Sequence, residues 1–205
     1  MGDFMSTQKR ELPLLVSPET SAGKVYIVTG ANAGLGFEAA QHLVVAQAAK
    51  VILAVRNLAS GNEAVAKIEA NTGRTGVAEV WELDMASYDS IRAFVKRAQS
   101  LDRIDSLIEN AGIILFQRSE SEGHLTTVTV NLIGTLLLAI LMLPKISKEA
   151  KRAGTPAHLS LVTSIAAFQG NEDWNLIKDD PIRKMDTEVE PIVKKYATTM
   201  YLPHA

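Results

Sequence analysis

Cysteine is absent from all 205 residues, which excludes a disulfide framework and thiolate metal sites and fits a reducing compartment, with the cytoplasm as the expected location. Net charge is nearly absent as well, with 21 Lys and Arg against 23 Asp and Glu for a formal −2. That balance offers neither a nucleic acid nor an anionic membrane an electrostatic reason to bind. No apolar run reaches the roughly 20 residues of a bilayer span. The longest, Leu132 to Leu143, stops at Pro144 and reads as a buried or subunit-facing helix. His42, His124, His158 and His204 are scattered without metal-ligand spacing, so no metal site is expected. Gly154-Thr155-Pro156 near Ser160 is not a nucleophile elbow, and no Ser/His/Asp set is recognisable. No repeat, low-complexity tract or linker divides the chain, which is long enough to bury a sizeable core as one domain.

Met1 to Ala22 carries both charges together with Pro13 and Pro18 and lacks the apolar core of a secretory signal. It reads as a flexible leader, with 23–205 as the domain. Met1-Gly2-Asp3-Phe4-Met5-Ser6 also meets the loose N-myristoylation pattern, a string short enough to arise often by chance.

What is present begins with Thr29-Gly30-Ala31-Asn32-Ala33-Gly34-Leu35-Gly36. Lys24 to Thr29 reads as a short buried strand, and Phe37 to Ala49 has helical apolar spacing through Leu43, Val44 and Ala48. The glycines therefore lie at a strand-to-helix turn. There bare backbone can approach a pyrophosphate, and the free N–H groups at the helix start can hold its charge.

Strand-like and helix-like segments then alternate. Lys50 to Arg56, Gly76 to Leu83, Arg103 to Glu109 and Ala157 to Thr163 read as strands. Gly61 to Ala70, Ser87 to Gln99 and Glu122 to Leu143 read as the helices between them. The fold class is α/β, a Rossmann-type doubly wound parallel sheet with ligands gathered at the carboxyl ends of its strands. Arg56 ends the second strand about 20 residues after the glycine turn, where a dinucleotide protein places an acid for the ribose hydroxyls or a base for a 2′-phosphate. A base there favours NADP over NAD. Asp84, closing the third strand in Glu82-Leu83-Asp84-Met85, has two readings: a partner for the adenine amino group, or a cap for the helix beginning near Ser87.

From about residue 23 to 196 the chain resembles the short-chain dehydrogenase/reductase family. Thr29-Gly30-x-x-x-Gly34-x-Gly36 matches its cofactor loop. Asn110-Ala111-Gly112 matches its Asn-Asn-Ala-Gly motif, with Glu109 in place of the first Asn. Val130-Asn131-Leu132-Ile133-Gly134 matches the helix whose Asn completes the catalytic tetrad, and Val162-Thr163-Ser164 the strand end whose last hydroxyl holds the substrate carbonyl. The resemblance implies NADP-dependent hydride transfer to or from a small carbonyl or alcohol substrate, with Asn131, Ser164 and Tyr196 as catalytic residues. It implies a cofactor held by Gly30, Asn32, Gly34, Leu35, Gly36, Arg56, Asn57, Asp84, Met85, Asn110, Ala111 and Gly112. Asn110 to Gly112 are expected to shape the sheet and touch the ribose. Subunits of the family pair through the long helix and the Tyr helix, so a homo-oligomer is expected. The wording of Glu109-Asn110-Ala111-Gly112 is similar to fungal, retinol-dehydrogenase-like members that tailor secondary metabolites or reduce lipophilic carbonyls.

The chain departs from that family at Tyr196-Ala197-Thr198-Thr199-Met200, where the pattern Tyr-x-x-x-Lys has Met200 for Lys. On a helix, i and i+4 share a face, so a Lys there would lie beside the phenol. A free tyrosine has a pKa of about 10, leaving about one molecule in a thousand ionised near pH 7. A cation at about 4 Å contributes about 4 kcal/mol at an effective dielectric of about 20. Without it, acid–base help worth on the order of a hundredfold to ten-thousandfold should be lost. Lys194 and Lys195 precede Tyr196 directly and point away from it on a helix. Family members also run on past this point, so the domain reads as C-terminally truncated, with Leu159, Leu161 and Val162 at a sheet edge. A shifted reading frame or retained intron after Thr199 would account for both departures, leaving an incomplete gene product or a silent NADP-binding or interaction protein as the other readings. Phe168 to Val193, with mixed charges and Pro181, reads as a mobile polar excursion.

Overall fold

Segments in which Val, Ile, Leu and Ala run on without polar alternation have the composition of strands buried on both faces, and such strands need helices above and below them. A computed structural model, describing residues 15–115, 117–164, 174, 175 and 177–188, has that arrangement. A one-turn helix α1 (Pro18–Ser21) leads into β1 (Val25–Thr29), α2 (Gly34–Val45), β2 (Lys50–Val55), α3 (Leu58–Thr72), β3 (Ala78–Glu82), α4 (Tyr88–Ala98) and β4 (Ser106–Glu109). A hairpin of β5 (Glu120–Ser121) and β6 (His124–Leu125) precedes the long helix α5 (Thr126–Ala153), strand β7 (His158–Leu161) and helix α6 (Pro181–Glu188). The main sheet is parallel, in the order β3-β2-β1-β4-β7.

Side chains of β1 divide by strand period. Ile27 joins the core under α4 and α5 with Trp81, Phe94, Leu107, Leu138 and Met142, while Tyr26 and Val28 join Leu43, Val44 and Ile68 under α2 and α3. Local chemistry fixes the helix ends. The Asn57 side chain accepts from Ser60 N–H at 3.1 Å, and Gly73 closes α3 in the left-handed conformation at φ 68°. At the amino end of the sheet, buried Asp105 accepts from Val25 N–H at 2.9 Å and pairs with Arg103 at 2.6 Å, tying β1 to β4 away from the ligand-facing edge.

Three expectations need correction. The helix expected over Glu122 to Leu143 begins only at Thr126, because Glu122 (φ 54°) and Gly123 (φ 82°) form the left-handed turn of the β5–β6 hairpin. The same helix does not stop at Pro144. Pro144 and Ile140, whose carbonyl loses its partner there, both lie on the exposed face, so water can serve that carbonyl and the helix runs on to Gly154 at φ 65°. By length and composition the 28 residues of α5 could cross a membrane. Its ridge Leu138, Met142 and Ile146 is instead buried against the sheet and α4. Part of the excursion expected to be mobile, 181–188, is a helix seated on the hairpin; 168–173, 176 and 189–193 lie outside the described residues.

Thr129–Gly134 forms a π-helical turn in α5, one residue wider than the α-helix around it. The Thr135 hydroxyl donates to the Val130 carbonyl at 3.0 Å within it. Gly134 lets this turn rest on the loop after β3, since a Cβ there would sit 2.5 Å from the Met85 carbonyl oxygen and 2.9 Å from that of Thr129. Both obstacles are backbone and cannot swing aside. Gly134→Ala is therefore expected to lower unfolding stability by about 1–3 kcal/mol, measured as a drop in urea midpoint. An unchanged midpoint would contradict this packing.

Candidate functional site

The carboxyl end of the sheet is closed by one buried hydroxyl. Thr29 Oγ1 accepts from Asn110 N–H at 3.0 Å and Ala111 N–H at 2.9 Å, and the Asn110 side-chain amide donates to the Thr29 carbonyl at 3.1 Å. β1 and β4 separate beyond this point, at the topological switch where doubly wound sheets hold ligands. Gly30, at φ 65°, turns the chain there, and a Cβ on it would meet Ala111 Cα at 3.0 Å. Gly36 lies beneath the turn. A Cβ there would fall 2.5 Å from Asn110 Nδ2 and 2.6 Å from the Gly30 carbonyl oxygen, so this glycine serves close packing of turn, helix and β4.

A cleft of about 410 Å³ opens above this seam. Its walls are Gly30, Asn32, Ala33 and Gly34 after β1, Ala54 to Asn57 at the end of β2, Leu83, Asp84 and Met85 after β3, and Asn110 to Ile113 after β4, with Val130 from α5. Of the residues expected to hold a cofactor, only Leu35 and Gly36 do not line it. Leu35 is 76% exposed at the start of α2, and Gly36 is turned into the packing just described. Ala33, at the N-cap of α2, gives the first amides no side-chain oxygen. That uncapped start, with glycines at 30 and 34, suits an anionic group such as a pyrophosphate. Arg56 is exposed on the β2 wall and forms no ion pair among the described residues, while the neighbouring Asn57 oxygen is held by Ser60 N–H.

Asp84 does not cap α4. Its Oδ1 accepts from Ala86 N–H at 2.9 Å to form the turn after β3, and Ser87 takes the cap by accepting from Ser90 N–H at 3.3 Å. Asn131 reaches across from the π-helical turn, its Oδ1 accepting from Ile113 N–H and its Nδ2 donating to the Ile113 carbonyl, both at 2.8 Å. This side chain mimics a strand neighbour for the segment after Gly112. Ser164 lies exposed beyond the end of β7. Tyr196 and Met200 lie outside the described residues.

In the sequence Glu109 stands as the end of the fourth strand and as a departure from the family motif, with no ionisation role given to it. It points to the same sheet face as Leu107, is 3% exposed, and neither carboxyl oxygen has a hydrogen-bond partner among the described residues. Burial alone pushes its pKa up to about 8. The strand alternation that puts Leu107 inward was the available signal, since residue 109 must follow it.

Comparison with known proteins agrees with this architecture. The family model described as short chain dehydrogenase matches residues 24–176. The chain is 40% identical over 184 residues to the short chain dehydrogenase/reductase mfmJ of Annulohypoxylon moriforme, covering 86% of this chain and 53% of that one. It thus spans about half the length of the curated relatives it matches. A short chain dehydrogenase from Shigella flexneri superposes with a TM-score of 0.62 at 21% identity, covering 90% of this chain and 70% of that one, which shows the fold. A metagenomic short-chain oxidoreductase solved in complex with NADP gives a TM-score of 0.59 at 26% identity, covering 71% of this chain and 64% of that one.

The orphaned Glu109 carboxyl sets a pH dependence. Between 4.5 and about 8 the folded chain keeps a proton that the unfolded chain has released. Stability from this group is therefore full below pH 4.5 and falls with rising pH until about 8, by on the order of 4 kcal/mol. Glu109→Gln, which cannot ionise, is expected to remove that slope from urea midpoints measured at pH 5, 6.5 and 8. Parallel slopes in the two chains would refute a proton held at Glu109.

Proposed function

The chain belongs to the short-chain dehydrogenase family, and from that premise we propose that it binds NADP in preference to NAD and serves hydride exchange with a small carbonyl or alcohol substrate in the cytoplasm. The observation that carries the cofactor reading is Arg56, without an ion pair among the described residues, on the wall of a cleft that the glycine turn and the end of β4 also line. A guanidinium there suits a 2′-phosphate, through bidentate charge-assisted hydrogen bonds. The NADP bound by the metagenomic relative supports the same reading.

When bound, a nicotinamide dinucleotide supplies or accepts the hydride at C4 of its ring. In this reading the chain's residues do the remaining work. Gly30, Asn32 and Gly34 present backbone to the pyrophosphate at the start of α2. Asp84 and Met85 flank the adenine, Asn57 stands beside Arg56, and Asn110, Ala111 and Gly112 border the ribose. Ser164 orients the substrate oxygen, Tyr196 exchanges its proton, and Asn131 positions the chain after Gly112. The exposed stripe Leu136, Ile140 and Leu143 on α5 supports pairing of two copies through this helix.

A second reading rests on Met200. With no cation four residues after Tyr196, the phenol stays protonated near neutral pH and proton exchange is slow, so cofactor binding and turnover come apart.

Two outcomes are expected. NADPH quenches the fluorescence of Trp81 and Trp174 on binding, and Arg56→Asp weakens NADPH by about tenfold or more while NADH changes by less than about threefold; absence of NADPH binding would overturn the cofactor reading. Turnover of NADPH over a panel of carbonyl compounds is very weak in this chain and rises by about a hundredfold or more in Met200→Lys. Equal rates in the two chains would contradict the role given to Met200.

A further inference from the structure

Glu109 is the last residue of β4, and among the described residues only β7 lies between it and the outer edge of the sheet. The register pairs Leu107 with Leu159 and Glu109 with Leu161, so these four side chains share one face, and Leu159 packs against the core there. On its inner side Glu109 stands next to Thr29, which follows Val28 on β1 as Glu109 follows Ile108 on β4. On its outer side the neighbour is Leu161, itself 45% exposed. A buried carboxyl without a partner among the described residues is thus separated from solvent by the end of an edge strand.

That strand is lightly held. It is four residues long, only Leu159 of them is even partly buried, and the tie beyond its end is Val162 N–H donating to the Glu109 carbonyl at 2.9 Å. β1, by contrast, has strand neighbours on both sides and is buried from Tyr26 to Thr29. Of the ways to bring water to the Glu109 carboxyl, opening the end of β7 disturbs the fewest contacts.

The charged groups of the elements packed around Glu109 are engaged elsewhere. On β7, His158 is one residue out of step with Leu159 and Leu161 and points to the opposite face. On α5, Glu149 bonds Lys145 at 2.9 Å and Arg152 at 2.8 Å, and on α4, Arg97 lies over the Trp81 ring at 4.0 Å while Arg92 pairs with Asp89. Asp105, at the far end of the strand pair, is held by Arg103. Burial is the one influence on the Glu109 proton.

We propose that the end of β7 is a proton-controlled latch: with Glu109 protonated the strand stays closed over the carboxyl, and loss of that proton favours the open strand, in which water reaches the carboxylate. Thr163 and Ser164 follow Val162 directly, so the residue expected to orient the substrate oxygen stands on the stretch that opens. That consequence rests on the hydride-transfer reading above; the latch itself does not.

Exchange of the Val162 amide, followed by NMR without denaturant and corrected for the intrinsic pH dependence of exchange, tests the latch. The carboxyl titrates near 4.5 when exposed and about 8 when enclosed, so protection of Val162 is expected to fall by about tenfold per pH unit between pH 5.5 and 7.5. At each pH it should stay at least about tenfold below that of the β1 amides and remain unchanged in about 1 M urea. Glu109→Gln should flatten the pH dependence, and Glu109→Leu is the second neutral variant should the first not fold. Protection of Val162 that is indifferent to pH, that equals β1 and falls with it in urea, or that keeps its pH dependence in the neutral variants overturns the proposal. Failure of the chain to bind NADPH overturns the cofactor reading instead, and the exchange measurement still decides the latch.

Discussion

The hydroxyl of Thr29 holds the carboxyl end of this sheet in the shape everything else relies on. Two backbone N–H groups of the segment after β4 would otherwise be left unsatisfied where β1 and β4 part, and both donate to that one oxygen. The Asn110 amide returns the contact to the Thr29 carbonyl. With the seam closed, the glycine turn lies against Ala111 at a distance that only a residue without a Cβ allows. The cleft is a consequence of this closure, because its floor is the seam and its walls are the strand ends that diverge from it. Asp105 does the corresponding work at the opposite edge, where it ties β1 to β4.

Electrostatics at the ligand-facing edge is unevenly distributed. Among the described residues Arg56 stands exposed and unpaired on the cleft wall, while Glu109, close to the seam on β4, is enclosed with neither oxygen satisfied. A buried carboxyl without partners is tolerated in its neutral form far better than as an anion. Burial therefore holds the Glu109 proton up to about pH 8.

Much of this was legible in the sequence where local chemistry and long-range packing agree. The five strands, the glycine turn and the ring of residues at strand ends follow from apolar runs, turn residues and chain order, which also put Arg56, Asp84 and Asn110 at one edge. The misreadings fall where packing overrides a local signal. Pro144 ordinarily ends a helix, but on the solvent face it removes a hydrogen bond that water can replace, so α5 continues. Glu122 has good helix propensity and yet occupies a left-handed turn, because Gly123 follows it and a hairpin is better served there. The seating of α6 was not legible at all. Its contacts join residues more than sixty positions apart, and neither His124 nor Asp186 carries a sequence pattern that points to the other.

The π-helical turn in α5 has a consequence for how this region can vary. A π-turn houses one residue more than an α-turn, so the helix before it and the helix after it are out of phase by about 100° relative to an unbroken α-helix. Asn131 faces Ile113 on one phase, and Leu138, Met142 and Ile146 face the sheet on the other. Deleting one residue other than Asn131 from Thr129–Gly134 would leave a regular helix that still carries Asn131 and the ridge Leu138, Met142 and Ile146. It would nonetheless force a choice between keeping the amide grip on Ile113 and keeping the ridge in the core. Substitutions in this turn are thus accommodated one side chain at a time, whereas a change in its length would be felt along the whole helix.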